Sequence, residues 1–209
     1  MPDAPPAETR IRILDVAERT FAEHGLAGAR VAAIAAEADV NKAMLYYYFG
    51  SKDGLYTAVL ERVADQVVSM AQASLQATDA PPEERLFAFV ESYRDLLAGN
   101  PRFVNLVVRE FLSGGERIVP LFLARAPHIL SAFWQCVREG QATGAISPDV
   151  DYRVVMPVLL APYIMFNVGS TMLGGRVPLD PEQVRSMFQD TAMAIARDGV
   201  LCTPPKEEA

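Results

Sequence analysis

VAAIAAEADVNKAMLYYYFGSK, residues 31–52, reads as two short helices and the turn that joins them. Val31, Ile34, Ala35 and Ala38 recur at offsets of three, four and seven, which lays one apolar face along a first helix. Asp39 stands where a tight turn takes a left-handed residue, and Asp adopts that conformation more readily than most residues carrying a Cβ. Val40 turns the chain back toward the core, and Asn41 is a good N-cap for a second helix over residues 42–49. Leu45 and Phe49, four apart, mark the buried side of that helix and leave Lys42, Ala43, Tyr46 and Tyr47 on the other. Three consecutive tyrosines, Tyr46 to Tyr48, cannot all face one core, so some of them reach solvent or a ligand.

This spacing is that of a helix-turn-helix, whose second helix enters the major groove of DNA. The surrounding residues sharpen it. LYYYFGSKDGL, residues 45–55, and the lead-in RIRILDVAERTFAEHGLAGARVAAIAAEADV, residues 10–40, resemble the signature of the tetracycline-repressor-like (TetR) family of bacterial transcription regulators. The resemblance runs in order and without gaps over about the first quarter of the chain. It implies an all-α protein with a three-helix head carrying the helix-turn-helix, followed by a larger helical body, about nine helices in total. The implied domains are a DNA-binding head over residues 9–52 and a regulatory and dimerisation domain over 53–199, with flexible ends at 1–8 and 200–209.

By the same resemblance Asn41, Lys42, Ala43 and Met44 open the recognition helix and face base edges. Tyr46 and Tyr47, or Tyr48 in place of one of them, give hydroxyls to phosphates, and Lys52 holds another phosphate. Arg10 and Arg12 begin the first helix, where relatives approach the DNA backbone. Lys42 is the candidate for reading a guanine, since lysine donates to O6 and N7; contact with phosphate alone is the alternative. Some positions depart from the family pattern. Ala29 and Arg30 replace a hydroxyl at the start of the second helix, so that Arg30 becomes a candidate phosphate contact. Ala32 falls where some relatives carry an arginine that reads bases, Asp39 replaces a frequent turn glycine, and Met44 replaces a frequent threonine. These changes bear on the operator sequence rather than on the fold.

The chain's 209 residues are 51% hydrophobic and 22% charged, an ordinary globular composition. No apolar run reaches 18 residues, so no membrane span is expected. The start, MPDAPPAETR, lacks the cationic and apolar regions of a secretory signal. Cys136 and Cys202 are too few for a disulfide framework, which makes a reducing cytoplasm the expected location. A net charge of −7 argues against indiscriminate coating of nucleic acid but not against a local basic face. Arg10, Arg12, Arg30, Lys42 and Lys52 would form that face.

Along the chain, a first helix over residues 9–24 ends at Gly25, a C′ residue. Ser51 caps a fourth, long helix over about 52–76, with Leu55, Val59, Val63, Val67 and Met70 as its apolar spine. At 1.5 Å per residue it would span about 36 Å. Residues 77–82 read as a linker. Helix five covers 82–99, and Asn100-Pro101 starts helix six, which runs to Leu112. Helix seven is expected over 118–140 with a break or kink at Pro127, helix eight over 150–173 bent at Pro157 and Pro162, and helix nine over 181–198 with Gly199 as its C′ residue.

The body carries no recognisable chemistry. His24 and His128 have no partners at metal spacing, Cys136 reads as a small buried hydrophobe, and no nucleophile elbow, P-loop or dinucleotide fingerprint occurs. No enzyme activity, cofactor or metal is therefore expected. In the family the body encloses a small-molecule pocket. The candidates for it are Tyr93, Phe103, Phe111, Trp134, Arg138, Tyr163, Phe166 and Asn167, each of which could equally fill core. The last two helices are too apolar to be left wet. Val158, Phe166, Gly169 and Leu173 on one, with Val184, Phe188, Thr191 and Ile195 on the other, are the candidate homodimer interface. The implied function is a repressor on a palindromic operator, released when a small hydrophobic effector tilts the fourth helix and respaces two recognition helices. The rivals are a helical small-molecule binder that has lost DNA binding, and a regulator worked by a protein partner.

Overall fold

The computed structural model describes residues 6–76, 79–125, 127–173 and 180–201. They form ten helices: α1 Pro6–Gly28, α2 Val31–Glu37, α3 Lys42–Phe49, α4 Lys52–Leu75, α5 Pro82–Gly99, α6 Pro101–Leu112, α7 Ile118–Arg125, α8 Pro127–Thr143, α9 Val155–Leu173 and α10 Pro181–Val200. Extended pairing among the described residues is confined to one antiparallel bridge, Ile146 to Leu201.

The chain divides into two compact units. The first runs up to Gln66 and takes in Asn100–Ala124; the second comprises Val67–Gly99 and the chain from Arg125 onward. Thus α6, which lies beyond the expected head boundary at residue 52, belongs to the first unit.

In the first unit α1 packs against α2 and α6, and α2 against α3. Ile13, Phe21, Ile34, Leu45, Leu55 and Leu106 are fully buried. At roughly 25 cal/mol per Å² of apolar surface, burying each such side chain stabilises the unit by about 1.5–3 kcal/mol before chain entropy is counted. Polar bonds fix how the helices meet. Arg62 on α4 reaches Asp15 at 2.6 Å and also binds Glu18, one turn further along α1. Tyr56 packs its ring edge-on to Phe21 at 4.8 Å and donates its hydroxyl to the buried Glu110 of α6 at 2.8 Å.

In the second unit α5 packs against α8 and α9, and α9 against α10. Leu86, Phe87, Phe89, Phe133 and Val137 fill its centre, with Phe89 and Phe133 edge to face at 5.6 Å. Arg85 joins α5 to Glu139 of α8. Arg197 of α10 lies over the Phe87 ring at 4.6 Å and pairs with Glu91.

Several elements differ from the sequence reading. Gly25 ends the regular part of α1 with φ of 67°, as expected, but the helix begins at Pro6, so residues 6–8 are helical; residues 1–5 lie outside the described residues. The expected seventh helix is two, α7 and α8. Proline at 127 cannot donate to the preceding turn, and it opens α8 instead of continuing α7. The helix expected from residue 150 starts at Val155. Asp151 O accepts from the backbone N–H of Val154 and Val155, which forms a turn first. Pro157 consequently falls in the first turn, where no helical bond is lost, and Pro162 alone is interior. Gly199 does not end the last helix. Val200 is helical and buried, its carbonyl accepts from Ser147 N–H at 2.8 Å, and Leu201 is bridged to Ile146. Positions 200 and 201 are therefore held rather than flexible. Residues 174–179, beyond the expected end of helix eight at 173, and the tail from residue 202 lie outside the described residues.

Candidate nucleic-acid interface

The head presents α3 by local rules. Asn41 has extended backbone angles, and its Oδ1 accepts from Met44 N–H at 2.7 Å, which satisfies one orphan donor of the first turn. Asp39, at φ of 51°, is the non-glycine residue with positive φ among those described. Arg12 donates from Nε to Ala38 O at 2.8 Å and so ties α1 to that turn. Arg19 and Glu37 pair at 2.7 Å between α1 and α2. At the other end Gly50 takes φ of 72°, and Ser51 Oγ accepts from Gly54 N–H at 2.9 Å to start α4.

With Leu45 fully buried, the opposite face of α3 is left to solvent. Asn41, Lys42 and Ala43 are exposed, Tyr46 is 46% exposed and Tyr47 84%. Met44 and Tyr48 are half-buried, and the Tyr48 ring meets Tyr47 edge-on at 5.4 Å. Phe49 is half-buried rather than core, and the Arg10 guanidinium lies over its ring at 5.4 Å. Lys52 is half-buried, and its Nζ donates to Ala27 O at 3.2 Å. Arg30 is the exposed N-cap residue of α2 and makes no side-chain cap bond, as the missing hydroxyl implied. The structure therefore brings Arg10, Lys42, Tyr46, Tyr47, Tyr48 and Lys52 onto or beside α3, with Arg30 at the start of α2. Arg12, also exposed, is engaged through its Nε with a backbone carbonyl.

Sequence reasoning missed Arg12 as a clamp on the turn, together with the Arg62 and Tyr56–Glu110 bonds under the head. Asp15 and Glu18, three apart on one helix face, were a visible sign of a cationic partner. That the partner is Arg62, 44 residues on, was not visible.

The pocket candidates are spread across both units. Phe103 is buried on α6 and Phe111 is 55% exposed there, both in the first unit. In the second, Tyr93 is buried on α5 and Tyr163 on α9. The Tyr163 ring meets Phe188 edge-on at 6.0 Å, Phe166 stacks on Phe188 at 4.2 Å, and Asn167 donates to Tyr163 O. Burial raises the Tyr163 phenol above its ordinary pKa, and its hydroxyl is buried with no hydrogen-bond partner. Trp134 and Arg138 lie apart from these, on an open face of α8.

On α9 and α10, Val158 and Ile195 are 66% and 67% exposed. They line an open apolar groove of about 510 Å³ with Phe188 and Thr191. Val184 and Gly169 are half-buried, and a Cβ at Gly169 would meet nothing within 4 Å. The side chain of Leu173 lies outside the described residues. Among the described residues no group of three or more His, Cys, Asp or Glu could hold a metal ion, and no helix is long and apolar enough to cross a membrane.

A capped recognition helix with a solvent-facing polar side, set on a three-helix head and followed by a helical body, defines a helix-turn-helix DNA-binding protein. Residues 13–59 match the model of bacterial regulatory proteins of the tetR family, and residues 82–174 match a tetracyclin repressor-like C-terminal domain. The chain is 31% identical over 157 residues to the transcriptional repressor SCO4008 of Streptomyces coelicolor, covering 75% of this chain and 77% of that one. It is 32% identical over 144 residues to the transcriptional repressor NicS of Pseudomonas putida, covering 68% of each. The fold is shared with the transcriptional regulator FadR of Bacillus subtilis, solved with stearoyl-CoA. There the TM-score is 0.71 at 18% identity, over 90% of this chain and 98% of that one. The chain belongs to the TetR family of bacterial transcription regulators.

Proposed function

We propose that this regulator is a homodimeric repressor that binds a palindromic operator and leaves it when a small hydrophobic effector occupies the second unit. The observation that carries the DNA-binding part is the outward face of α3. Lys42, Tyr46 and Tyr47 are exposed, while the burial of Leu45 and the hydrogen bonds of Asn41 and Arg12 hold the helix and its turn in place. Phosphate contacts from Arg10, Arg30, Lys52 and the tyrosines would position the head, and Lys42 and the start of α3 would read bases. Repression is supported by the names of SCO4008 and NicS.

Dimerisation is supported by the wet apolar face of α9 and α10. Val158, Met165, Met187 and Ile195 are each more than 60% exposed. A two-fold pairing there would remove them from water and match a two-fold operator. The effector reading is supported by the buried, unpartnered Tyr163 hydroxyl, a polar handle within an apolar unit. The ligand-bound FadR shows that a relative in fold takes an acyl compound. An effector releases DNA only if it binds the free state more tightly than the DNA-bound state.

Ile195→Glu tests the dimer and its consequence together. In sedimentation, the variant is expected to run as a monomer with unchanged helical content and to lose binding to a selected palindrome. A variant that stays dimeric, or a monomer that binds the palindrome as well as the parent, would refute the proposal.

A further inference from the structure

Four of the described arginines of the second unit are neutralised. Arg85 pairs with Glu139, Arg94 with Asp95, Arg153 with Asp151 and Arg197 with Glu91. Arg138 is different. It is exposed on α8, has no carboxylate partner among the described residues, and lies 5.9 Å from the centroid of the Tyr152 ring. Trp134, one turn earlier on α8, meets Tyr152 edge to face at 6.1 Å. These three residues border an open depression of about 710 Å³ with Ser131 and Arg153.

The depression is set by bonds that do not involve its lining rings. Gln141 on α8 donates from Nε2 to Ser147 O at 3.0 Å and to Val150 O at 2.8 Å, which fastens the loop before Tyr152 to the helix. Asp151 then accepts from the Arg153 backbone N–H and Nε, each at 2.9 Å, which closes the turn that carries Tyr152. Glu139, which also lines the depression, is held below its ordinary pKa by Gln135 and Arg85 and is engaged with both. The turn that carries Tyr152 is thus in position before any ligand arrives, which lowers the ordering cost of binding.

The chemistry is complementary to one kind of small molecule. A guanidinium presents a planar fork that fits a carboxylate through two bonds. An edge-to-face aromatic pair offers a wall for a third ring. The volume lies within the range of small-ligand sites. We propose that the Trp134–Arg138–Tyr152 depression binds a small aromatic carboxylate, its ring against Trp134 and Tyr152 and its carboxylate on Arg138. The site is distinct from the α9–α10 groove and presupposes nothing about DNA binding.

Trp134 is the chain's one tryptophan, so its emission reports on this site alone. The full-length protein, without DNA, is titrated with benzoate and 3-phenylpropionate by tryptophan fluorescence, and with 2-naphthoate by calorimetry. The expected result is saturable binding of at least one of them with half-saturation below about 1 mM. Arg138→Gln, checked for unchanged helical content, is expected to weaken it at least tenfold, Arg138→Lys less, and uncharged benzamide is expected to bind at least tenfold more weakly than benzoate. Failure of all three carboxylates to saturate, equal binding by Arg138→Gln, or displacement by inorganic phosphate at matched concentration would overturn the proposal. Each of these failures would leave the regulator reading standing, because no step uses DNA.

Discussion

Tyr56→Phe isolates one buried polar bond beneath the head. The ring stays and keeps its edge contact with Phe21, while the hydroxyl that donates to Glu110 at 2.8 Å is lost. Tyr56 is 2% exposed and Glu110 4%, so water does not replace the donor. A hydrogen bond to a charged group contributes about 1.5–3 kcal/mol, and the substitution is expected to cost about 2 kcal/mol. For a chain of this length that lowers Tm by about 4–8 °C. Glu110→Met leaves the hydroxyl buried without its acceptor and is expected to cost about 1–3 kcal/mol. The double variant removes both polar groups, so its cost should fall short of the sum by at least about 1 kcal/mol. Urea unfolding followed by circular dichroism gives all four values, at one fixed protein concentration because self-association of the kind proposed would add to apparent stability.

The pair also sets a pH dependence. Burial first, then the hydrogen bond and the charge of Glu110, hold the Tyr56 phenol well above its usual range. The folded state therefore keeps a proton that the unfolded chain releases near pH 10. This contribution is complete below about pH 10 and is lost as pH rises from there toward the folded value. Tyr93, raised by burial, acts in the same direction. Wild-type stability should fall above about pH 10, and Tyr56→Phe should fall less steeply. Strictly additive costs in the cycle, or a single cost under about 0.5 kcal/mol, would refute the reasoning.

Asn41→Ala removes the α3 cap and is expected to cost about 1 kcal/mol, while Asn41→Asp keeps the cap and its stability but weakens DNA binding by placing a negative charge at the groove; urea unfolding and DNA titration separate the two. Gly140→Ala would set a Cβ 2.5 Å from Ile146 Cδ1 and is expected to cost about 1–3 kcal/mol in thermal unfolding, with Ile146→Ala relieving the strain in the double variant. The Cys136 thiol, pushed up to about 11 chiefly by burial and donating to Pro82 O, should resist a disulfide reagent at pH 8 in a Cys202→Ser background until the protein unfolds; rapid labelling of the native protein would contradict this.

Where local chemistry decides an element, the residues announced it. Asn41 before α3, the strained turn at Asp39, Pro82 and Gly99 bounding α5, and Asn100-Pro101 opening α6 act within four residues of themselves, and the structure places these ends where the sequence reading did. Some errors fall where a distant partner decides. Gly199 reads as a helix end, yet the Ser147 bond to Val200 and the Ile146–Leu201 bridge hold the helix through it. The start of α9 shifts for a local reason that helical period does not show: Asp151 accepts from the backbone of Arg153, Val154 and Val155 and forms a turn first. The candidate site divides the same way. The exposure of Lys42, Tyr46 and Tyr47 follows from helical period once Leu45 is buried. The pocket candidates carried no period that separates a cavity wall from core, and they are spread over two units: Phe103 and Phe111 lie in the first, Trp134 and Arg138 on an open face of the second. That Arg12 clamps the turn was not legible, because its carbonyl partner on Ala38 is 26 residues away.

The central claim is that α3 of a paired head reads DNA sequence. Selection from a random duplex pool by the purified protein, with sequencing of the retained fraction, tests it most directly. The expected result is an enriched palindrome whose half-site centres lie about one helical turn of DNA, or a multiple, apart. With Lys42→Ala the enrichment should weaken. If Lys42 is read at phosphate as well, the log–log salt slope on the selected duplex should also fall by about 0.9 per half-site. A folded dimer that enriches no sequence at low salt would contradict the account, and an enriched palindrome left unchanged by Lys42→Ala would move the readout off the start of α3.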